Sequence, residues 1–168
     1  MSESSEKERG DEVSRGPATV MLLFSSWLAM PTLWFAWHHD RYSRGGLWAF
    51  GLWLLVLGYL QYRGRGEKSP TTTWWVLGSV ACCCLGGIFS VNLLYHWALA
   101  FSCLAFFQPY RRAMYCLPLA VAWMPATGWL VSRALAGGFL GWERPLTVLV
   151  MLGFALLVSR GLGARKAA

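Results

Sequence analysis

Apolar stretches close to the length of a bilayer crossing alternate with short polar ones along this chain, a pattern that predicts a bundle of membrane-spanning helices. The opening stretch, residues 1–17 (MSESSEKERGDEVSRGP), is polar, mixed in charge and free of aromatics, and is expected to be an unstructured tail. It is too acidic for a secretory signal, and the apolar stretch behind it is too long. A first span runs from Ala18 to Trp37, with Pro31 expected to kink it without breaking it. The polar segment His38–Gly46 (HHDRYSRGG) follows, then a second span over Leu47–Tyr62 and a polar loop over Arg63–Thr73.

The next apolar stretch, Trp74–Phe107, is too long for one crossing. A helix of that length reaches about 50 Å, against a hydrocarbon core of about 30 Å. It is therefore read as two short spans turning near Phe89–His96, where Ser90, Asn92 and His96 gather. After the loop QPYRR comes a fifth span from Ala113 to about Val131, which contains Pro118 and Pro125. The connection Arg133–Arg144 leads to a last span near Pro145–Val158 and a basic tail over residues 161–168. The expectation is an all-α, polytopic membrane protein with six helices in one transmembrane domain over residues 18–160.

Charge orients this arrangement. Of the 15 Lys and Arg residues, eleven fall on one side of a six-span bundle: Lys7, Arg9, Arg15, Arg63, Arg65, Lys68, Arg111, Arg112, Arg160, Arg165 and Lys166. Arg41, Arg44, Arg133 and Arg144 fall on the other. A five-span reading splits them eight against seven, which orients nothing. The excess of positive charge on cytoplasmic loops therefore favours six spans with both termini cytoplasmic.

Composition agrees. The chain is 56% hydrophobic and 14% charged, and five of its eight acids (Glu3, Glu6, Glu8, Asp11, Glu12) lie in the first twelve residues. Ordinary soluble domains carry about 25% charged residues. A soluble fold, a disulfide-stapled secreted module and a disordered chain are all excluded on these grounds. The net charge of +7 sits in short loops and reports orientation, so no nucleic-acid partner is expected. Lipid is the expected surrounding.

Few residues offer chemistry. All five cysteines (Cys82, Cys83, Cys84, Cys103, Cys116) fall within expected spans. Neighbours on a helix point about 100° apart, so the CCC run does not close a metal site, and no CxxC spacing exists. Two readings stand side by side. In one, cysteine is a small apolar packing residue. In the other, Cys83 or Cys84 is a nucleophile whose thiolate needs a neighbouring base or cation, with His96 and Arg133 as candidates. Arg133 also suits simple snorkelling to the interface. The outer loop gathers His38, His39, Asp40, Arg41, Tyr42, Ser43, Arg44 and Gly45. It reads either as an interface anchor or as a small surface holding a polar peptide or head group. Adjacent His38 and His39 do not converge on one ion, so neither a metal nor any other cofactor is expected. No phosphate-binding glycine loop, HExxH or nucleophile elbow occurs, and the Gly pairs suit close helix packing.

The stretch LWFAWHHDRYSRGGLWAFGLWLLVLGYLQYRGRG (Leu33–Gly66) resembles the N-terminal region of the exosortase/archaeosortase family. There, an acidic residue and a Tyr-Ser-His-Gly-like motif follow a tryptophan in the first outer loop, and an apolar span ends in a short basic run. Trp37, Asp40, Tyr42, Ser43, Gly45 and Gly46 stand in matching positions, whereas Arg44 replaces the motif's histidine. The segment RRAMYCLPLAVAWMP (Arg111–Pro125) is similar as well. The resemblance implies a prokaryotic inner-membrane protein of the cysteine protease or transpeptidase type, which cleaves C-terminal sorting signals from exported proteins. Because the family's catalytic Cys, Arg and His lie in the second half of a longer chain, it also implies that this chain is a split, accessory or degenerate form, with a second membrane protein supplying the catalytic half. An alternative alignment places ACCCLGGI (Ala81–Ile88) on the family's nucleophile region and Arg133 on its arginine. That version makes Cys83 or Cys84 the nucleophile of a compact enzyme with His96 as base, since no histidine follows Arg133. A structural or assembly subunit without chemistry is the alternative from a different class.

Overall fold

A computed structural model describes residues 3–40, 43, 45–63, 72–107 and 113–125. Among them the chain is all-helical. Five α-helices, α1 (Glu3–His39), α2 (Gly46–Arg63), α3 (Thr72–Phe89), α4 (Asn92–Phe107) and α5 (Ala113–Ala120), precede a 3-10 turn over Val121–Trp123. No strand occurs among the described residues. Among the described residues one helix, over Gly16–His39, is long and apolar enough to cross a membrane, while the apolar parts of α2, α3 and α4 are shorter. The last expected span and the basic tail lie outside the described residues.

Helix α1 begins earlier than composition suggests. It starts at Glu3, within the stretch expected to be an unstructured tail. The sequence itself favours helix here, with Glu3 and Lys7, and Asp11 and Arg15, four positions apart. Acidic residues near a helix start also complement its dipole. The helix continues through both Pro17 and Pro31.

The described residues group into two compact units, and α1 contributes to both. The first unit takes Met1–Pro31 and Lys68–Gln108. In it α3 and α4 form a helical hairpin that turns at Ser90, within the segment where polar residues gather. Ser90 adopts φ 53°, the left-handed conformation that ends many helices. The Val91 amide then donates to the Gly86 carbonyl at 3.2 Å, closing the six-residue ring of a Schellman cap. Behind the turn, Gly86 leaves room for the Tyr95 ring. A methyl group there would lie 2.8 Å from Tyr95 Cε1. Serine lacks the side-chain freedom from strain that glycine has in this conformation, which costs an L-residue roughly 1–2 kcal/mol. Ser90→Gly is therefore expected to stabilise the hairpin by up to about 1 kcal/mol after the added entropy of the unfolded glycine chain, read as a higher unfolding temperature in detergent micelles.

Three buried hydroxyls join α1, α3 and α4 inside this unit. Ser25 Oγ donates to Ser102 Oγ at 3.0 Å, Ser79 and Ser102 share a 2.7 Å hydrogen bond, and Ser102 Oγ reaches the Met21 carbonyl at 3.2 Å. Ser79 Oγ also donates to the Ala98 carbonyl at 2.9 Å. Small neighbours on α4, Ala98, Ala105 and Cys103, are buried with them, and such residues let helix backbones approach closely. Ser102 is the hub of the cluster. Ser102→Ala is expected to cost about 1 kcal/mol, the scale of an interhelical hydroxyl bond, and a denaturant titration measures the loss.

The second unit takes Thr32–Glu67 and Pro109–Ala168. Its described core is aromatic: Trp37 from α1, Phe50 and Trp53 from α2, and Trp123. Phe50 meets Trp123 edge-on with centroids 5.0 Å apart, and Trp53 lies 5.7 Å from Trp123. Two indoles are fixed by backbone carbonyls, Trp37 Nε1 donating to Trp123 at 3.1 Å and Trp53 Nε1 to Cys116 at 2.8 Å. The fifth span was expected to run from Ala113 to about Val131 and is interrupted. It tightens to a 3-10 turn at Val121, and Met124 is extended with ψ 137°. A residue before proline is crowded out of the helical region by the ring, and Pro125 imposes that on Met124. The break delivers Trp123, fully buried, into the aromatic core.

Candidate functional site

Of the residues that prompt the resemblance, Trp37, Asp40, Ser43, Gly45 and Gly46 meet at the corner between α1 and α2. Helix α1 closes with the Asp40 amide donating to Ala36 at 3.0 Å. Ser43 then folds back, its amide donating to the Asp40 carbonyl at 3.0 Å and its hydroxyl to Asp40 Oδ2 at 2.6 Å. Such a short bond to a carboxylate is stronger than one between neutral groups. Ser43 is completely buried. Gly45 takes φ 83°, which a side chain resists, and its carbonyl accepts the first bond of α2 from Ala49 at 3.1 Å. Gly46 lies directly against Trp37, where an added Cβ would fall 2.2 Å from the indole nitrogen.

Asp40, Ser43 and Gly45 are thus brought together, and their contacts turn the chain and start a helix. Tyr42 and Arg44, along with Arg41, lie outside the described residues. His38 and His39 are exposed and folded back on α1. Nδ1 of each faces the carbonyl four residues earlier, Trp34 at 3.0 Å and Phe35 at 3.2 Å. A carbonyl only accepts, so Nδ1 carries the proton in both rings. Each ring also packs on an aromatic neighbour, His38 on Trp34 at 4.1 Å and His39 on Phe35 at 4.5 Å. Among the described residues, no group of three or more His, Cys, Asp or Glu is placed to hold a metal ion.

The candidate thiols sit in the other unit. Ser79, Gly78 and Gly86 mark the face of α3 that packs on α4. Cys84 lies five residues beyond Ser79, about 140° around the helix, and is exposed. Cys82 and Cys83 flank the packed face and are half-buried. His96 on α4 is buried. Cys84 and His96 stand at similar distances from the turn of the hairpin, the first exposed and the second buried. Arg133 lies outside the described residues, and Arg144 with it. Cys103 and Cys116 are buried among packing residues.

Two features escape a reading of the sequence. The serine cluster is formed by residues that merely interrupt apolar stretches, and the aromatic core uses tryptophans that look like all the others. Comparison with family models, with curated proteins and with solved structures finds no match for the chain.

Proposed function

We propose that this chain is a multi-pass membrane protein of six spans with both termini cytoplasmic, acting as a non-catalytic scaffold in the processing of exported surface proteins. It stands to an exosortase-type enzyme as a split or accessory half, in a prokaryotic inner membrane. One observation carries the reading: the motif residues that prompt the resemblance are engaged in architecture. Asp40 holds Ser43, Gly45 turns the chain and Gly46 makes room for Trp37. Cys84 is exposed while His96 is buried, an unfavourable setting for that thiol as the partner of the imidazole.

Membrane residence is supported by the outward faces of the helices. Val20, Phe24, Trp27, Trp34 and Phe35 on α1, and Trp48, Leu55 and Tyr59 on α2, are exposed in helical register. Ridges of this size on a water-soluble protein would promote aggregation. A scaffold of this kind leaves the sorting signal's recognition to the outer corner and the chemistry to a second chain. Purification in mild detergent from the native membrane tests it. The expected result is a stoichiometric membrane partner carrying a Cys, an Arg and a His at outer-face positions. Recovery of the chain by itself, with cleavage of a sorting-signal peptide unaided, would overturn the reading in favour of a compact enzyme. A stoichiometric partner without those residues would place the chain in some other membrane assembly.

A further inference from the structure

Helix α1 provides the one stretch among the described residues that is long and apolar enough to cross a membrane, Gly16–His39, and Trp27 is the twelfth of its 24 residues. At 1.5 Å per residue Trp27 stands about 17 Å from either end, close to the middle of a hydrocarbon core of about 30 Å. Tryptophan is a residue of the membrane surface, where its indole N–H meets water or head groups. Here the side chain is 80% exposed on the outside of the helix, and water is more than an indole's length away in both directions. Val20, Leu23, Phe24 and Pro31 are exposed on the same stripe, and their side chains carry no acceptor.

Pro31 adds a second demand at the same place. It stands four positions after Trp27 inside a continuous helix, and proline has no N–H, so the Trp27 carbonyl lacks its regular helical donor. On the opposite side of α1 the buried Ser25 is paired with Ser102; the chain supplies partners for the polar groups it buries. In membrane helices, groups freed by proline are satisfied by neighbouring helices, hydroxyl side chains or ordered water. Acyl chains supply none of these. We infer that the Phe24–Trp27–Pro31 face of α1 is the docking surface for a transmembrane helix of a second membrane protein, whose Asn, Gln, Ser or Thr side chain, able to accept and donate at once, meets Trp27 at mid-membrane. A charged partner side chain would bring the cost of a buried ion. A second copy of this chain fits less well. Side chains slant toward a helix N-terminus while carbonyls point to its C-terminus, so in a parallel pair each indole falls short of the other Trp27 carbonyl. The inference rests on the membrane reading above and deepens it by naming where a partner binds.

The test is photo-crosslinking of the full chain in its native membrane, with benzoylphenylalanine at position 24 and, as a reference on an outward face of α2, at position 55. The expected result is one protein adduct from position 24 that position 55 does not give. Its yield should fall several-fold on Trp27→Phe, which keeps an aromatic ring and removes the N–H. It should also fall on Pro31→Ala, which returns an amide to the Trp27 carbonyl, each variant being compared at equal membrane level. An adduct with these dependences supports the inference whether or not the partner carries the Cys, Arg and His that the sorting role requires. An adduct indifferent to either substitution would mean apolar packing alone and overturn the inference, as would an adduct of twice the chain's mass. No adduct from position 24, in protein that resists alkaline extraction, would leave this face to lipid; the inference would fall and membrane residence would stand. Release of the chain by alkali would overturn both. If the probe at 24 prevents insertion, position 23 is read by the same criteria.

Discussion

Trp123→Ala is expected to lower the unfolding free energy of the second unit by about 3–5 kcal/mol, the range for emptying a buried large aromatic site. Trp123 is fully buried, and both Phe50 and Trp53 pack against its ring. Their own indole and phenyl rings are large and held, Trp53 by its bond to Cys116, so the cavity does not collapse. A conservative change separates packing from hydrogen bonding. Trp123 Nε1 is buried with no acceptor among the described residues, so Trp123→Phe breaks no hydrogen bond to them. That substitution is expected to cost under about 1.5 kcal/mol. Trp53→Phe removes a buried hydrogen bond to the Cys116 carbonyl and should cost more than Trp123→Phe. Denaturant titrations of the three variants in micelles give the ranking.

The second large effect is at Gly46. An alanine there would push its methyl to 2.2 Å from Trp37 Nε1 and 2.3 Å from Cδ1. These are atoms of a buried indole whose nitrogen donates to the Trp123 carbonyl. Accommodating the methyl means moving the indole, which combines overpacking with loss of a buried hydrogen bond. Each is worth about 1–3 kcal/mol, and together they are expected to exceed about 3 kcal/mol. A double-mutant cycle checks the cause. Combining Gly46→Ala with Trp37→Leu should cost markedly less than the sum of the two single changes, since the smaller side chain relieves the clash. Additive costs would show that the glycine matters for some other reason.

Much of the helical layout is legible in the sequence because it depends on local pattern. The polar segment His38–Gly46 separates α1 from α2, and the length of the Trp74–Phe107 stretch forces the reversal that Ser90 makes. The break in the fifth span has a local signal too, Met124 before Pro125, but prolines are tolerated in membrane helices and Pro31 lies inside α1 without ending it. The sequence alone does not distinguish one proline from the other.

The contents of each unit's interior are a different matter. Ser25 and Ser102 are 77 positions apart, and Trp37 and Trp123 are 86 apart. Nothing in their own neighbourhoods marks them as partners. Trp37 at 5% exposure and Trp48 at 83% both sit beside the α1–α2 corner with apolar neighbours, yet one anchors the core and the other faces outward. The candidate site was legible at Asp40, Ser43 and Gly45, where a short segment supplies its own geometry. Cys84 and His96 stand a dozen residues apart in the sequence, but the angle around the helix that leaves Cys84 exposed follows from Ser79 and Gly86 packing on α4, which the spacing does not reveal.

The central claim is a chain needed for surface-protein processing that contributes no nucleophile. Its most direct test is a sorting-signal reporter followed in the source cell with the gene deleted, restored, or restored carrying Cys83→Ala and Cys84→Ala together. Deletion is expected to leave the reporter unprocessed, and the double variant at normal membrane level is expected to restore processing as fully as the unaltered chain. Loss of processing in the double variant at normal level would assign the chemistry to this chain, and normal processing after deletion would remove it from sorting altogether.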